Sequence, residues 1–195
     1  MPAYDLRYIQ VAQYTHTEGK TSYGEKVKLG DAMGVNIQFK FAEGRLYAEG
    51  RLSEYLKLIT GGTISIAEKY IAVAAAKLMY GATEATRKLS GSVSKDIKSL
   101  QYKTSDEAGY VGVSFYVPDR IDGKTKYTCM FVAKSLFGPP AYVFKTKGQS
   151  IEFQTPTTTG ELLADDETEL LIDMAVCDTV ADAKAWCDAV LAPAA

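Results

Sequence analysis

The chain has 195 residues, of which 47 % are hydrophobic and 24 % are charged, and its net charge is −2. This composition is that of a folded globular protein and excludes a wholly disordered chain. The near-neutral charge gives no basic surface for general nucleic-acid binding, and no apolar run reaches membrane-spanning length. The first residues lack the pattern of a signal peptide, so we expect synthesis in a cytoplasm and no membrane association.

Alternating apolar and polar residues predict strands in the first third of the chain. The composition of residues 1–14 predicts an extended N-terminal segment or first strand, and the polar residues 15–26 predict a loop. From Val35 to Phe41 every second residue is apolar, which is typical of a strand with one face in the core. Residues 63–66 alternate in the same way and predict another strand.

The segment 42–60 contains two glycines and is interpreted as a long inter-strand loop. Loops of this length in compact domains are usually functional or disordered. The apolar content of the segment argues against disorder and for burial against a partner chain. The apolar residues that carry this prediction are Leu46, Tyr47, Leu52, Tyr55 and Leu56. The alternative is a loop that lies on the protein's own core.

The pattern becomes helical over residues 68–80. Apolar residues recur there at the spacing i, i+3, i+4 and i+7, and four alanines favour a helix. Gly81 is a suitable residue to end it. The small side chains predict that this helix lies close on a sheet.

The polar segment 82–108 predicts a surface excursion with one short strand at residues 99–102. Residues 111–117 and 125–133 predict a pair of strands, because Asp122-Gly123 between them favours a type I′ hairpin turn.

The stretch Tyr142–Ala164 predicts a further hairpin. Residues 142–144 and 151–155 alternate in polarity, and a polar, glycine-containing turn separates them. Pro156 has no N–H for a β-ladder, so regular pairing is expected to change there.

Residues 165–195 are interpreted as an acidic extension beyond a main β domain of residues 1–164. Residues 179–191 predict a short terminal helix, with Asp178 or Thr179 as its N-cap. Trp186 and Val190 share one face of this helix, and we expect that face to dock onto the parent fold or a neighbouring subunit.

No motif predicts catalysis, a cofactor site or a metal site. The triplets Gly19-Lys20-Thr21 and Gly123-Lys124-Thr125 match the end of a phosphate-binding loop, but both lack its first glycine. His16 is the only histidine, which argues against a zinc site of the usual kinds. Three cysteines without a close pair, Cys129, Cys177 and Cys187, predict reduced and packed thiols. We therefore expect a protein that is not an enzyme and binds no cofactor.

The segment YVFKTKGQSIEFQTPTTTG, residues 142–160, resembles the closing hairpin of the major tail proteins of long, non-contractile-tailed bacteriophages. Shorter segments resemble further pieces of that family in the same order along the chain. They are LGDAMGVNI (29–37), LYAEG (46–50), GTISI (62–66), LMYG (78–81) and the strand at 109–115. The resemblance spans residues 1 to about 164.

This resemblance implies a mainly β (α+β) fold, a β-sandwich or partly closed barrel with one packed helix, to which residues 179–191 add a short C-terminal helix. It also implies a structural virion protein of which six copies form a ring, and rings that stack into the tail tube through which DNA enters the host. The expected partners are further copies of this chain, a tape-measure protein, and tail-tip and tail-terminator proteins. DNA would pass through without tight binding, and the loop 42–60 would make the stacking contacts.

A lumen lined by carboxylates would repel phosphates and let a DNA duplex slide. Five residues are candidates for this role: Glu152, Glu161, Asp165, Asp166 and Glu169. The alternative is that these residues face outward solvent. Two other functions also remain open: the tube of a phage-derived bacteriocin or secretion system, and a β-barrel that binds a small ligand in an enclosed apolar pocket.

Overall fold

A computed structural model describes residues 5–89, 95–146 and 155–192 of the protein. Strands dominate this part of the chain, and two helices accompany them. The elements are β1 (Arg7–Thr17), β2 (Lys20–Tyr23), β3 (Val27–Lys28), β4 (Ala32–Ala48), β5 (Arg51–Glu68), α1 (Val73–Tyr80), β6 (Thr83–Leu89), β7 (Lys95–Gln101), β8 (Tyr110–Ile121), β9 (Lys124–Phe137), β10 (Thr157–Leu163), β11 (Ile172–Cys177) and α2 (Val180–Val190).

The described strands form one sheet of nine strands and a separate hairpin of β6 and β7. The order in the large sheet is β2-β1-β8-β9-β10-β5-β4, with β3 paired to β1 and β11 paired to β9. In this order β2 and β4 lie at opposite ends, so the described sheet is open and is not a closed barrel. The prediction of a mainly β fold with one packed helix and a C-terminal helix is confirmed.

Helix α1 packs on one face of the sheet. Its residues Ala75, Ala76 and Met79 are fully buried in a core to which β1, β5, β8, β9 and β10 all contribute. The helix begins later than the predicted residue 68, because Glu68 still pairs in β5 with Ala32. It ends at Gly81, whose φ of 68° and contact with a carbonyl favour glycine, since a Cβ there would lie 2.4 Å from the Glu107 oxygen.

Helix α2 packs on the opposite face of the sheet. Trp186 and Val190 pack against a buried cluster that includes Phe131 of β9 and Leu191. The helix begins after Thr179, whose hydroxyl accepts a hydrogen bond of 3.1 Å from the Asp182 N–H, as an N-cap does. Residues 165–192 therefore contact the same sheet as the rest of the chain, because β11 extends it and α2 covers it.

The prediction of a long loop at residues 42–60 is wrong. These residues are the outer parts of β4 and β5, which pair with each other up to Ala48 and Arg51. The two residues between them, Glu49 and Gly50, have φ values of 51° and 75°, as a two-residue type I′ turn requires. Gly50, one of the two glycines in the predicted loop, therefore lies in the turn of a long hairpin.

Three further segments differ from their predictions. Residues 15–26 are not all loop, because β1 continues to Thr17 and pairs with β2 at Lys20–Tyr23. The excursion at residues 82–108 contains the paired strands β6 and β7 rather than one short strand. Residues 142–146 are not in a strand, although Ala141 makes an isolated bridge to Thr157. The other half of the predicted hairpin, residues 151–154, lies outside the described residues, and regular pairing resumes after Pro156 with β10.

Candidate functional site

The outer half of the β4–β5 hairpin, residues 41–59, projects beyond the sheet, and we call it the arm. Strand β10 accompanies β5 only as far as the pair Leu162–Gly62, so the arm is a ribbon of two strands. At about 3.3 Å per residue, the eight residues from Phe41 to Ala48 extend roughly 23 Å. A two-stranded ribbon without a covering layer is only marginally stable in water, which makes its surface the first candidate for a contact with another chain.

The arm begins at a bulge in β5. Lys40 pairs with Gly61 and Phe41 with Ile59, which leaves Thr60 without a partner in the ladder. Gly61 has a φ of 147°, a conformation open almost only to glycine. A Cβ on Gly62 would lie 2.4 Å from the Gln38 carbonyl oxygen. The two glycines thus accommodate the bulge and the close approach of β4 where the hairpin leaves the core.

One face of the arm carries aromatic and charged side chains that contact one another, and we call it the charged face. Glu43 forms ion pairs with Lys57 at 3.2 Å and with Arg45 at 3.4 Å. The Lys57 ammonium lies 4.3 Å from the centre of the Phe41 ring, and the Arg45 guanidinium lies 5.5 Å from that of Tyr55. Hydrogen bonds from Lys57 and then Tyr55 lower the pKa of Glu43. The charges on this face are therefore largely satisfied within the arm.

The opposite face carries leucines, and we call it the leucine face. Ala42 is opposite Leu58 and Gly44 is opposite Leu56, with Leu46 next along the same face. The three leucines are exposed to 54–59 %, so about half of each side chain remains in water. Gly44 has no side chain and leaves a notch between Leu46 and Leu56. Glu54 lies opposite Leu46 on this face and also lines the notch, so the face is mainly apolar with one carboxylate at its edge.

All five residues that the sequence predicts for stacking lie on the arm and are exposed to between 48 % and 61 %. They do not form one patch, since Leu46 and Leu56 lie on the leucine face and Tyr55 lies on the charged face. Sequence reasoning missed Phe41, Leu58 and Ile59, which are exposed to a similar extent. Phe41 belongs to the alternation that predicts a core-facing strand, and this alternation ends at Glu43, so periodicity gave no signal for Leu58 and Ile59.

The predicted acidic residues do not share one environment. Glu161 is exposed on β10 and pairs with Lys40 at 2.5 Å. The Asp166 carboxylate pairs with Lys134 at 2.6 Å, and this hydrogen bond is the main reason that its pKa is lowered. Glu169 is exposed at a turn, and Glu152 lies outside the described residues.

Asp165 must be removed from the candidates for a charged lumen, because only 4 % of it is exposed. Its carboxylate accepts hydrogen bonds from the hydroxyls of Tyr14, Thr21 and Thr168 and from the Thr168 N–H. Burial by itself would raise the pKa of Asp165, but these hydrogen bonds outweigh it and lower the pKa to about 2. Asp165 thus anchors the turn after β10 to β1 and β2.

The described ranges contain no cluster of metal-binding side chains. Among residues 5–89, 95–146 and 155–192, no three histidine, cysteine or acidic side chains are placed to hold a metal ion. In the same ranges, neither helix has the length and apolar character needed to cross a membrane.

No protein-family model matches the chain, and no curated protein matches it either.

Proposed function

We propose that this chain is a structural virion protein that self-assembles into stacked rings, most simply of six copies, which form the tube of a long, non-contractile bacteriophage tail. The family resemblance of residues 1 to about 164 suggests this function. The observation that carries it is the arm, which exposes apolar residues on both faces and has no covering layer in the described chain. Monomeric soluble proteins rarely expose so much contiguous apolar surface to water.

In this proposal the leucine face stacks on the next ring. Each of Leu46, Leu56 and Leu58 is about half exposed, so full burial of each would contribute about 1 kcal/mol. Repetition around a ring multiplies this contribution, so that stacking needs no single tight contact. The charged face keeps its charges paired within the arm, which lowers the cost of bringing it close to another subunit.

Ring closure would use the open ends of the sheet. Strands β2 and β4 are the outermost strands of the described order, and an exposed edge strand offers unpaired N–H and C=O groups to a neighbour. A head-to-tail contact between two different edges generates a closed ring when the rotation between copies divides a full turn. The tape-measure, tail-tip and tail-terminator proteins would then contact the tube's interior and ends.

The lumen in this proposal carries exposed carboxylates of Glu161, Asp166 and Glu169. The first two are paired with Lys40 and Lys134, so the net repulsion of DNA phosphates from these residues would be weak. A weakly repelling wall lets a duplex slide without tight binding. Glu152 remains a candidate on sequence alone.

The experiment is negative-stain electron microscopy of the purified full chain across a range of concentrations. We expect rings or hollow tubes for the wild type. A triple variant, Leu46→Ser, Leu56→Ser and Leu58→Ser, should need at least ~100-fold more protein to form tubes, because about 3 kcal/mol of burial is lost per contact. Circular dichroism should show unchanged secondary structure.

The matched control is the double variant Leu89→Ser and Ile97→Ser on the β6–β7 hairpin, where these side chains are 43 % and 44 % exposed. It removes exposed apolar surface of the same kind from a different hairpin and should assemble as the wild type does. A wild-type chain that stays monomeric at every concentration and salt condition argues against the proposed function. Equal loss of assembly in both variants argues against the arm as the stacking surface.

A further inference from the structure

Three thiols lie together between the sheet and α2. Cys129 is in β9, Cys177 ends β11 and Cys187 is in α2. Cys129 and Cys187 are fully buried, whereas Cys177 is half-buried. The Sγ atoms of Cys129 and Cys177 are 3.7 Å apart, which is van der Waals contact between sulfurs. The sequence separates these two residues by 48 positions, which is why no pair was visible in it.

The register of the two strands explains this contact. β11 is antiparallel to β9, with Ala175 opposite Cys129 and Cys177 opposite Tyr127. The two cysteines are therefore diagonal neighbours on one face. The right-handed twist of adjacent strands shortens one of the two diagonals of such a pair, and the sulfur separation of 3.7 Å shows that these two short side chains meet across it. From 3.7 Å, the sulfurs need to approach by about 1.6 Å to reach a disulfide bond length.

We propose that Cys129 and Cys177 are a redox modification site that forms an intramolecular disulfide when the protein meets a low-molecular-weight disulfide such as oxidised glutathione. This inference does not depend on the proposed function. It rests on the contact of the two sulfurs, on their common face and on the access of solvent to one of them.

The reaction proceeds by two thiol–disulfide exchanges. Cys177 loses its proton to solvent, and its thiolate attacks one sulfur of oxidised glutathione, which forms a mixed disulfide and releases one glutathione. Cys129 then loses its proton and attacks the Cys177 sulfur, which forms the protein disulfide and releases the second glutathione. Two protein thiols are oxidised, and one glutathione disulfide is reduced to two thiols.

Burial decides which thiol takes part at each step. Burial raises the pKa of the Cys129 thiol, so little of the attacking thiolate forms and the second exchange is the slow one. The contact with Cys177 nevertheless gives Cys129 a high local concentration at the mixed disulfide. Burial also raises the pKa of Cys187 to about 11, and no solvent reaches this residue. Cys187 is therefore expected to remain a thiol.

A disulfide at this position would join β9 to β11 and so hold the C-terminal part of the chain on the sheet. It would also constrain the unfolded chain by closing a long loop. We expect the oxidised protein to melt about 5 to 10 °C higher than the reduced protein.

The test treats the reduced full-length protein with oxidised glutathione, unfolds it in denaturant, blocks the remaining thiols with an alkylating reagent and analyses the protein by mass spectrometry. The expected product has lost two hydrogen atoms, carries one alkyl group on Cys187 and yields a cross-linked peptide that contains Cys129 and Cys177. Cys177→Ser should abolish the cross-link, whereas Cys187→Ala should retain it. Reduction with dithiothreitol should reverse the gain in melting temperature.

Three oxidation products would overturn the proposal. They are a mixed disulfide with glutathione that persists on Cys177, a cross-link from Cys129 to Cys187, and a disulfide between two chains. A wild-type protein whose three thiols all remain alkylatable after prolonged oxidation would overturn it as well. The wild-type result decides the question even if a variant fails to fold.

Discussion

The two halves of the β4–β5 hairpin have the same pairing but opposite surroundings. In the inner half, residues 32–40 and 61–68, which we call the base, Ile64 and Ile66 are fully buried. In the arm, Leu58 and Ile59 are 54 % and 53 % exposed. The base has β10 as a third strand and the α1 core on one face, whereas the arm has neither.

This difference shows that burial here is decided by the neighbouring layers and not by the strand itself. Both halves are paired strands, and a pleated strand only sorts its side chains onto two faces. Whether a face becomes core depends on what covers it. The apolar residues of the arm therefore contribute little to the stability of a single chain, and each change below should affect the base and the arm differently.

The largest effect is expected from the buried carboxyl group of the base. Glu68 is 1 % exposed, and neither of its oxygens has a hydrogen-bond partner among the described residues. Burial raises its pKa to about 8. The folded state thus holds this proton more tightly than the unfolded state, so the stabilising contribution is complete below about pH 4.5 and is lost as the pH rises through about 8. Between pH 5 and pH 9 the free energy of unfolding should therefore fall by roughly 4 kcal/mol.

Chemical unfolding at several pH values measures this contribution. Glu68→Gln is neutral at every pH and should flatten the decline in the free energy of unfolding between pH 5 and pH 9. Glu54→Gln on the exposed arm is the matched control and should leave the decline unchanged. A wild-type protein whose unfolding free energy does not fall over this range would show that Glu68 is ionised and solvated.

The next largest effect is expected for Ile64→Ala in the base. The substitution leaves a cavity in the core to which α1 also contributes, because Ile64 is fully buried there. Such changes cost about 3 kcal/mol of unfolding free energy. Urea denaturation of the dilute protein measures the cost. A loss below about 1 kcal/mol would mean that the base is not packed as the structure has it.

A smaller effect is expected at the junction of the base and the arm. Gly62→Ala adds a Cβ that would lie 2.4 Å from the Gln38 oxygen and 2.9 Å from Leu162, so β4 or β10 must shift. We expect a loss of about 2 kcal/mol. The control is Gly34→Ala at the start of the same hairpin, where a Cβ meets nothing within 4 Å. Equal costs for the two substitutions would be incompatible with the close approach at Gly62.

The contrast also explains how far the sequence predicts the fold. The base strands, the pair β8 and β9 and both helices follow from apolar periodicity, because a covering layer imposes that periodicity on them. The described residues place no such layer on the arm, and charged residues such as Glu43 and Arg45 occupy the face that is apolar in the base. Its glycines then favour a loop, although Gly50 is the turn residue and Gly44 shapes the leucine face.

The sequence predicts a candidate residue correctly only where its exposure is determined by its own segment of the chain. The exposed apolar character of Leu46, Leu52 and Leu56 can be inferred from their segment alone. The burial of Asp165 cannot, because Tyr14, one of its partners, precedes it by 151 positions. A run of acidic residues usually lies in solvent, and only the folded chain distinguishes the one that forms an internal anchor.

The smallest effect on the single chain is expected for Leu58→Ala in the arm. Leu58 is 54 % exposed and lies opposite Ala42 in the ribbon, so the free energy of unfolding of the dilute monomer should change by less than about 0.5 kcal/mol. Combined with Ile64→Ala, its effect should be additive within the same margin, because the two sites share no partner. The measurement is urea denaturation below the concentration at which the protein associates. A cost of 1–2 kcal/mol under these conditions would mean that the arm folds back onto its own chain in solution, and that its leucine face is already covered before any second copy arrives.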